Sequence, residues 1–303
     1  MSALVAAVLI SLPSCGGLQS YGEAIAGVPP ERFIEVGDQH VHIRRWGNRG
    51  QPLVLLHGLG TSTFTFRELG PILGKTRKVV AIDLNGFGLT ERPEASDAYS
   101  LAGQAAMVCG VLDELGIREA DWVGHSYSGY LSMRIARDSP ERVRRLVLVS
   151  PALRMEVAPD SFIRSRVLRE AVYPGLRLIL DDKRRFRALL EPAYHRKEVL
   201  TDDVLETYRQ QLRIEGLHDA YRGFGASLDD LSRDRVEIAE IDMPVRVIAG
   251  RHDAIIPLQA LKTSLAESKG RVELRVLESS GHSAPEEQPE ALAVEISDFL
   301  DRR

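Results

Sequence analysis

From residue 52 onward the chain repeats one alternation: a short, largely apolar run, then a stretch with apolar residues at three- and four-residue spacing. The runs are Pro52–Leu56, Val79–Leu84, Asp121–Gly124, Leu146–Val149, Val245–Ala249 and Val272–Leu277. Strands buried on both faces read this way, whereas a half-exposed strand alternates apolar with polar. The periodic stretches, at about 62–75, 100–116, 127–138, 257–268 and 288–301, predict helices. Ahead of them, two alternating runs, Arg32–Val36 and His40–Arg44, flank Gly37-Asp38 and predict a hairpin. Eight strands alternating with helices predict a doubly wound, mostly parallel α/β sheet whose first two strands are antiparallel.

One connection breaks the rhythm. Between Val149 and Val245 there is no strand-like run, only helical character punctuated by Pro174-Gly175 and Glu191-Pro192. Thr201-Asp202-Asp203 reads there as an N-cap with an acidic first turn. The expected organisation is a core of residues 31–152 and 241–303 with a helical cap over 153–240. Apolar cap residues, including Phe162, Tyr173, Leu176, Tyr194, Tyr221 and Phe224, point to a greasy pocket, although the same spacing also serves ordinary core packing. The basic stretch from Arg164 to Arg187 reads more readily as a solvated helix face than as a lipid contact.

Residues 1–30 read separately, as a leader and a Gly-, Ala- and Pro-rich tether. Ala3–Leu12 is apolar but shorter than the roughly 20 residues a membrane span needs, and it fits the hydrophobic region of a signal peptide. Leu12-Pro13-Ser14-Cys15 resembles a bacterial lipobox, which implies export to the cell envelope and membrane attachment through a lipidated Cys15. No Lys or Arg precedes Arg32, and Pro13 departs from that pattern; a cytoplasmic protein is the alternative.

A net charge of -4 gives no basic footprint for nucleic acid, so none is expected as a partner. Two cysteines, Cys15 and Cys109, supply neither a disulfide framework nor a metal-ligand cluster. No cofactor and no metal is expected, and oligomeric state is left open.

The chemistry sits just after apolar runs. Gly124-His125-Ser126-Tyr127-Ser128-Gly129 follows the third parallel run and opens a predicted helix, so Ser126 falls on a tight strand-to-helix turn that exposes its hydroxyl. The turn needs small neighbours, here Gly124 and Ser128, the latter standing where glycine is usual. A serine nucleophile needs a base, and His282 in Ser280-Gly281-His282 follows the last strand. The other histidines have blander settings: His40 and His42 in the hairpin, His195 and His218 in the cap, His125 beside the serine, and His252 before the acid. Asp253, in Gly250-Arg251-His252-Asp253-Ala254-Ile255-Ile256-Pro257, is the expected acid orienting His282. Its rival is Asp83, which reads as a turn residue bonding nearby amides. Serine, acid, histidine is also the chain order of one triad type among several.

Together with His57-Gly58-Leu59-Gly60 and Asp83-Leu84-Asn85-Gly86-Phe87-Gly88, these motifs resemble the α/β-hydrolase superfamily over about residues 32–301. The resemblance implies an eight-stranded α/β-hydrolase fold with a cap inserted after strand 6. It also implies an oxyanion hole from the backbone N–H groups of Leu59 and Tyr127, with His57 as a structural side chain. The chain looks most like the capped branch of esterases, lipases, carbon–carbon bond hydrolases, epoxide hydrolases and haloalkane dehalogenases. The last two use an aspartate where Ser126 stands, so they are disfavoured. The expected activity is hydrolysis of a carboxylic ester, a small to medium apolar or lipid-like molecule, through an acyl-enzyme on Ser126. The alternative is another chemistry of the same triad: a carbon–carbon bond hydrolase, lactonase, aminopeptidase, or cofactor-free perhydrolase or lyase. More remote is a non-catalytic binding protein on the hydrolase scaffold.

Overall fold

A computed structural model of the protein describes residues 18–153, 175, 177–231, 235–268 and 272–302. The expected leader with Cys15, the cap residues Phe162, Tyr173 and Leu176, and the start of the basic stretch at Arg164 lie outside the described residues.

The sheet has eight strands: β1 (Phe33–Val36), β2 (Gln39–Trp46), β3 (Pro52–Leu56), β4 (Lys78–Ile82), β5 (Ala120–His125), β6 (Val143–Val149), β7 (Val245–Gly250) and β8 (Val272–Leu277). Their spatial order is β1-β2-β4-β3-β5-β6-β7-β8. β2 pairs antiparallel with both β1 and β4, and every other pairing is parallel. Gly37 takes a φ of 61°, which lets the β1–β2 hairpin close in two residues.

Largely apolar runs become central strands because both faces are covered. Val54, Leu56, Trp122, Leu146 and Val247 face one core with α3 (Leu101–Glu114), α4 (Tyr127–Asp138) and α8 (Leu258–Leu265). Leu53, Leu55, Val123, Val147 and Ile248 face the other, with α2 (Leu69–Leu73) and α10 (Pro289–Leu300). The side-chain alternation of the strand sorts neighbours in sequence into these two cores.

Between β6 and β7 lies the helical insert. Its described part carries α5 (Lys183–Leu190), α6 (Asp202–Leu212) and α7 (Leu217–Leu231), around a separate apolar cluster that includes Phe186, Leu205 and Tyr208. Thr201 caps α6 by accepting from the Val204 amide. Arg92 of the core fastens the α6–α7 turn by donating to the carbonyls of Gln211 and Glu215 at 2.7 and 2.9 Å.

Part of the stretch expected as a tether is pinned instead. Gln19 bridges to Ile214, exchanging backbone hydrogen bonds with Arg213 and Glu215. The short helix α1 (Tyr21–Ile25) follows, capped by Ser20 and Glu23. The single helix expected at 62–75 is a 3₁₀ turn at Thr63–Phe66 followed by α2. Among the described residues no helix is long and apolar enough to cross a membrane.

Candidate active site

The strand order brings together what the chain separates. β3, β5, β6, β7 and β8 are parallel, so the loops after them open on one edge of the sheet, where ligands bind in such folds. Ser126 follows β5, Asp253 follows β7 and His282 follows β8.

Ser126 has φ 55° and ψ −118°, a conformation costly for any residue with a side chain. Three backbone bonds hold it there: its amide donates to the Val149 carbonyl, and its carbonyl accepts from the amides of Gly129 and Ala152. A Cβ on Gly124 would lie 2.4 Å from the Ser128 carbonyl oxygen, so the turn admits only glycine there. Ser128 is fully buried, and its hydroxyl donates to the carbonyl of His57. The departure from glycine thus ties the serine turn to the neighbouring loop.

His282 Nε2 stands 2.9 Å from Ser126 Oγ, and Nδ1 stands 2.9 Å from Asp253 Oδ2. A carboxylate only accepts, so Nδ1 carries the proton and Nε2 is left to accept from the serine hydroxyl. Asp253 Oδ1 accepts from the amides of Ile255 and Ile256 at 2.9 and 2.7 Å. Burial works to raise the Asp253 pKa, but the hydrogen bond and charge of His282 and the Ile256 amide hold it below the ordinary value. The acid and histidine loops are in backbone contact: a Cβ on Gly250 would fall 2.0 Å from the Gly281 oxygen.

The Gly58-Leu59 loop passes over the serine, with a Cβ on Gly58 placed 3.1 Å from Ser126 Cβ. Leu59 borders the space around Ser126. Tyr127 opens α4, so its N–H has no acceptor within the helix. His57 is buried and fully used: Nδ1 donates to the Gly58 carbonyl and Nε2 accepts from the Leu84 amide. His125 points its Nε2 at the His282 carbonyl, 2.9 Å away, and burial with the adjacent His282 pushes its pKa down to about 3. Asp83 is buried and committed to the His42 ring and to the amides of Thr63 and Leu89. The Leu89 amide fits the expected turn residue bonding nearby amides, whereas the Thr63 amide, 20 positions away, and the His42 ring carry no signal in the sequence.

A buried acidic pair, equally silent in the sequence, stands close to His282. Glu286 and Glu287 follow His282 in α9 (Ala284–Glu287) and are 5% and 1% exposed. Glu286 accepts from the hydroxyls of Thr65, Tyr194 and Tyr208 and pairs with Arg67. Nothing in a Ser-Ala-Pro-Glu-Glu string signals depth, because the donors come from distant segments.

Around Ser126 the free space is about 80 Å³, bounded by Leu190, Ala193, Tyr194 and Tyr208 of the insert. Leu59 and Leu190 also border a larger cavity of about 470 Å³, walled by Phe87, Phe186, Leu212, Leu217 and Phe224. Among its described lining residues there is no Lys, Arg, Asp or Glu. No group of three or more His, Cys, Asp or Glu among the described residues is arranged to hold a metal ion.

Such an edge, on a doubly wound sheet with a helical insert after β6, defines a class of hydrolases. The chain belongs to the α/β hydrolase fold family, whose profile matches residues 51–289. It is 34% identical over 263 residues to 2-hydroxymuconate semialdehyde hydrolase of Pseudomonas putida, covering 83% of this chain and 87% of that one. Among solved structures it resembles 2-hydroxy-6-oxo-6-phenylhexa-2,4-dienoate hydrolase from Rhodococcus sp. strain RHA1. That likeness has a TM-score of 0.74 and 22% identity, covering 89% and 98% of the two chains. It is equally like the epoxide hydrolase CorEH, with a TM-score of 0.73 and 23% identity over 88% and 97%. At those identities the structural likenesses speak for the fold alone.

Proposed function

We propose that the protein hydrolyses a bond at a carbonyl carbon, with Ser126 as nucleophile, His282 as base and Asp253 as the acid that orients it. The observation that carries this is the continuous hydrogen-bonded line Ser126–His282–Asp253, at 2.9 Å in both links. Ser126 Oγ attacks the carbonyl carbon while its proton passes to His282 Nε2. The oxygen that becomes negative is met by the N–H groups of Leu59 and Tyr127, each such donor being worth about 10²–10³ in rate. His282 then returns the proton to the leaving group, and a water deprotonated by the same nitrogen releases the acyl group from Ser126.

The first reading of the bond is carbon–carbon. The relative at 34% identity is named for 2-hydroxymuconate semialdehyde, a compound with no ester or amide, so hydrolysis there breaks a carbon–carbon bond. Such a bond yields only when the departing carbon takes up a proton and its electron pair is spread into an adjoining enol or ketone. A carboxylic ester is the second reading, favoured by the apolar cavity. A dienoate carboxylate in that cavity would meet no cation among the described lining residues, whereas an uncharged ester needs none. Opening of an epoxide is not proposed, since it would ask an aspartate to stand where Ser126 does.

Turnover of 2-hydroxy-6-oxohexa-2,4-dienoates, followed by loss of the dienolate absorbance, beside p-nitrophenyl esters of graded length separates the two. Cleavage of the dienoates with kcat/KM well above that of any ester supports the first reading. Cleavage of the esters alone moves the assignment to the second, and cleavage of neither, with Ser126 unreactive, removes both.

A further inference from the structure

We infer that Glu287 is a positioning residue for His282, acting through a segment of the helical insert that is built into the histidine loop. This rests on the serine-hydrolase reading above.

The backbone around the histidine is held from outside its own loop. The amides of His282 and Ser283 both donate to the carbonyl of Ala193, in the insert, at 2.9 and 3.1 Å. The amide of Gly281 donates to Glu287 Oε1 at 2.9 Å. All three consecutive N–H groups at 281–283 therefore end on either the insert or Glu287. The other oxygen of Glu287 reaches the insert itself, accepting from the amides of His195 and Arg196 at 2.8 and 2.7 Å. One carboxylate thus bridges the residue before His282 to the two residues after Tyr194.

There is no slack in this joint. A Cβ on Gly281 would lie 2.7 Å from the His195 nitrogen and 3.1 Å from the Ala193 oxygen. The insert segment also touches the acid loop, because the His195 ring stacks on that of His252 at 3.8 Å and 11°. His252 is the neighbour of Asp253, so residues 193–196 brace both loops on which the base and its acid stand. Glu287 is 1% exposed, and a carboxylate that deep is tolerated only with its oxygens bonded, here by three amides. Burial nonetheless pushes its pKa up.

The consequence is functional because the imidazole has two bonds to keep at once. A shift of about 1 Å in the 281–283 backbone is enough to cost about 10² in rate at a reacting nitrogen. In Glu287→Gln one oxygen becomes an NH2 group facing amide donors, so the bonds to Gly281 and to the insert cannot both persist.

The test is the kinetics of labelling by an alkyl fluorophosphonate, which needs the serine and its base but no knowledge of the natural substrate. Glu287→Gln is expected to lower the limiting rate by about 10-fold or more, with the half-saturating probe concentration moved by less than about 3-fold. The downfield proton resonance of His282 Nδ1–H is expected to shift or broaden with it. Gly281→Ala keeps the carboxylate but forces the same segments apart, and it carries the same expectation if Glu287→Gln does not fold. Wild-type labelling and an unmoved resonance in a folded variant, with only a lower Tm, would overturn the inference and leave Glu287 a clamp on the insert. Ser126→Ala separates the two levels: if it still labels, the hydrolase reading fails first; if it is inert while Glu287→Gln is normal, this inference alone fails.

Discussion

Asp253 accepts from His282 Nδ1 and so fixes the tautomer that leaves Nε2 free for Ser126. Asp253→Asn can turn an NH2 group toward Nδ1 and favour the opposite tautomer. Turnover is then expected to fall by about 10⁴ with circular dichroism unchanged. A rate near wild type would show that Asp253 does not orient His282. His125 makes a second prediction. Its pKa, ordinarily 6.5, is pushed to about 3 by burial and by His282, and its Nε2–H is committed to the His282 carbonyl. A depressed value means the stability it contributes is whole above its unfolded pKa and is lost as pH falls from there toward the folded one. The loss runs at about 1.4 kcal/mol per pH unit. Chemical denaturation at about pH 7 and pH 5 should show this slope and show it reduced in His125→Gln; equal slopes would contradict it. That Ser126, His282 and Asp253 meet at one edge of the sheet was legible in the sequence because each follows a strand end within a few residues. Their setting was less so. The hydroxyl of Ser128 reaching the His57 carbonyl depends on a partner 71 positions away.

Among elements, the central strands read clearly because burial on both faces leaves no alternation to misread. Short elements read poorly, and the reason is long-range bonding. The stretch 62–75 breaks where the Thr63 amide turns to the Asp83 carboxylate and the Ser62 hydroxyl accepts from the Phe64 amide. Residues 19–25 likewise order against the α6–α7 turn rather than run free. The buried Glu286 ties α9 to the insert through Tyr194 and Tyr208 and to the core through Thr65 and Arg67. Glu286→Ala leaves that guanidinium and three hydroxyls without their acceptor. It is expected to destabilise the fold by roughly 3 kcal/mol, read from urea unfolding. A change under about 0.5 kcal/mol, the range of an ordinary surface substitution, would show the network to be incidental.

At the scale of the molecule, the doubly wound sheet and the insert after β6 follow from the alternation of buried runs and helices, whereas the strand order β1-β2-β4-β3-β5-β6-β7-β8 does not. Nor does the choice of substrate, because it lies in how the insert closes over the sheet. Composition gives apolar residues but not the wall they build. The 470 Å³ cavity shares Leu59 and Leu190 with the space around Ser126, and under the proposed function it would take the uncharged part of a substrate. Leu217→Ala enlarges it, and the ratio of kcat/KM for long-tailed over short-tailed substrates is expected to rise about 10-fold. An unchanged ratio would place the tail elsewhere.

Hydrolysis by this site requires above all that one hydroxyl, that of Ser126, be reactive. Mass spectrometry of the protein after exposure to a fluorophosphonate measures that directly. A single adduct on the peptide containing Ser126, absent from a folded Ser126→Ala variant that also lacks hydrolytic turnover, is the predicted result. Labelling or turnover that survives in Ser126→Ala would contradict it.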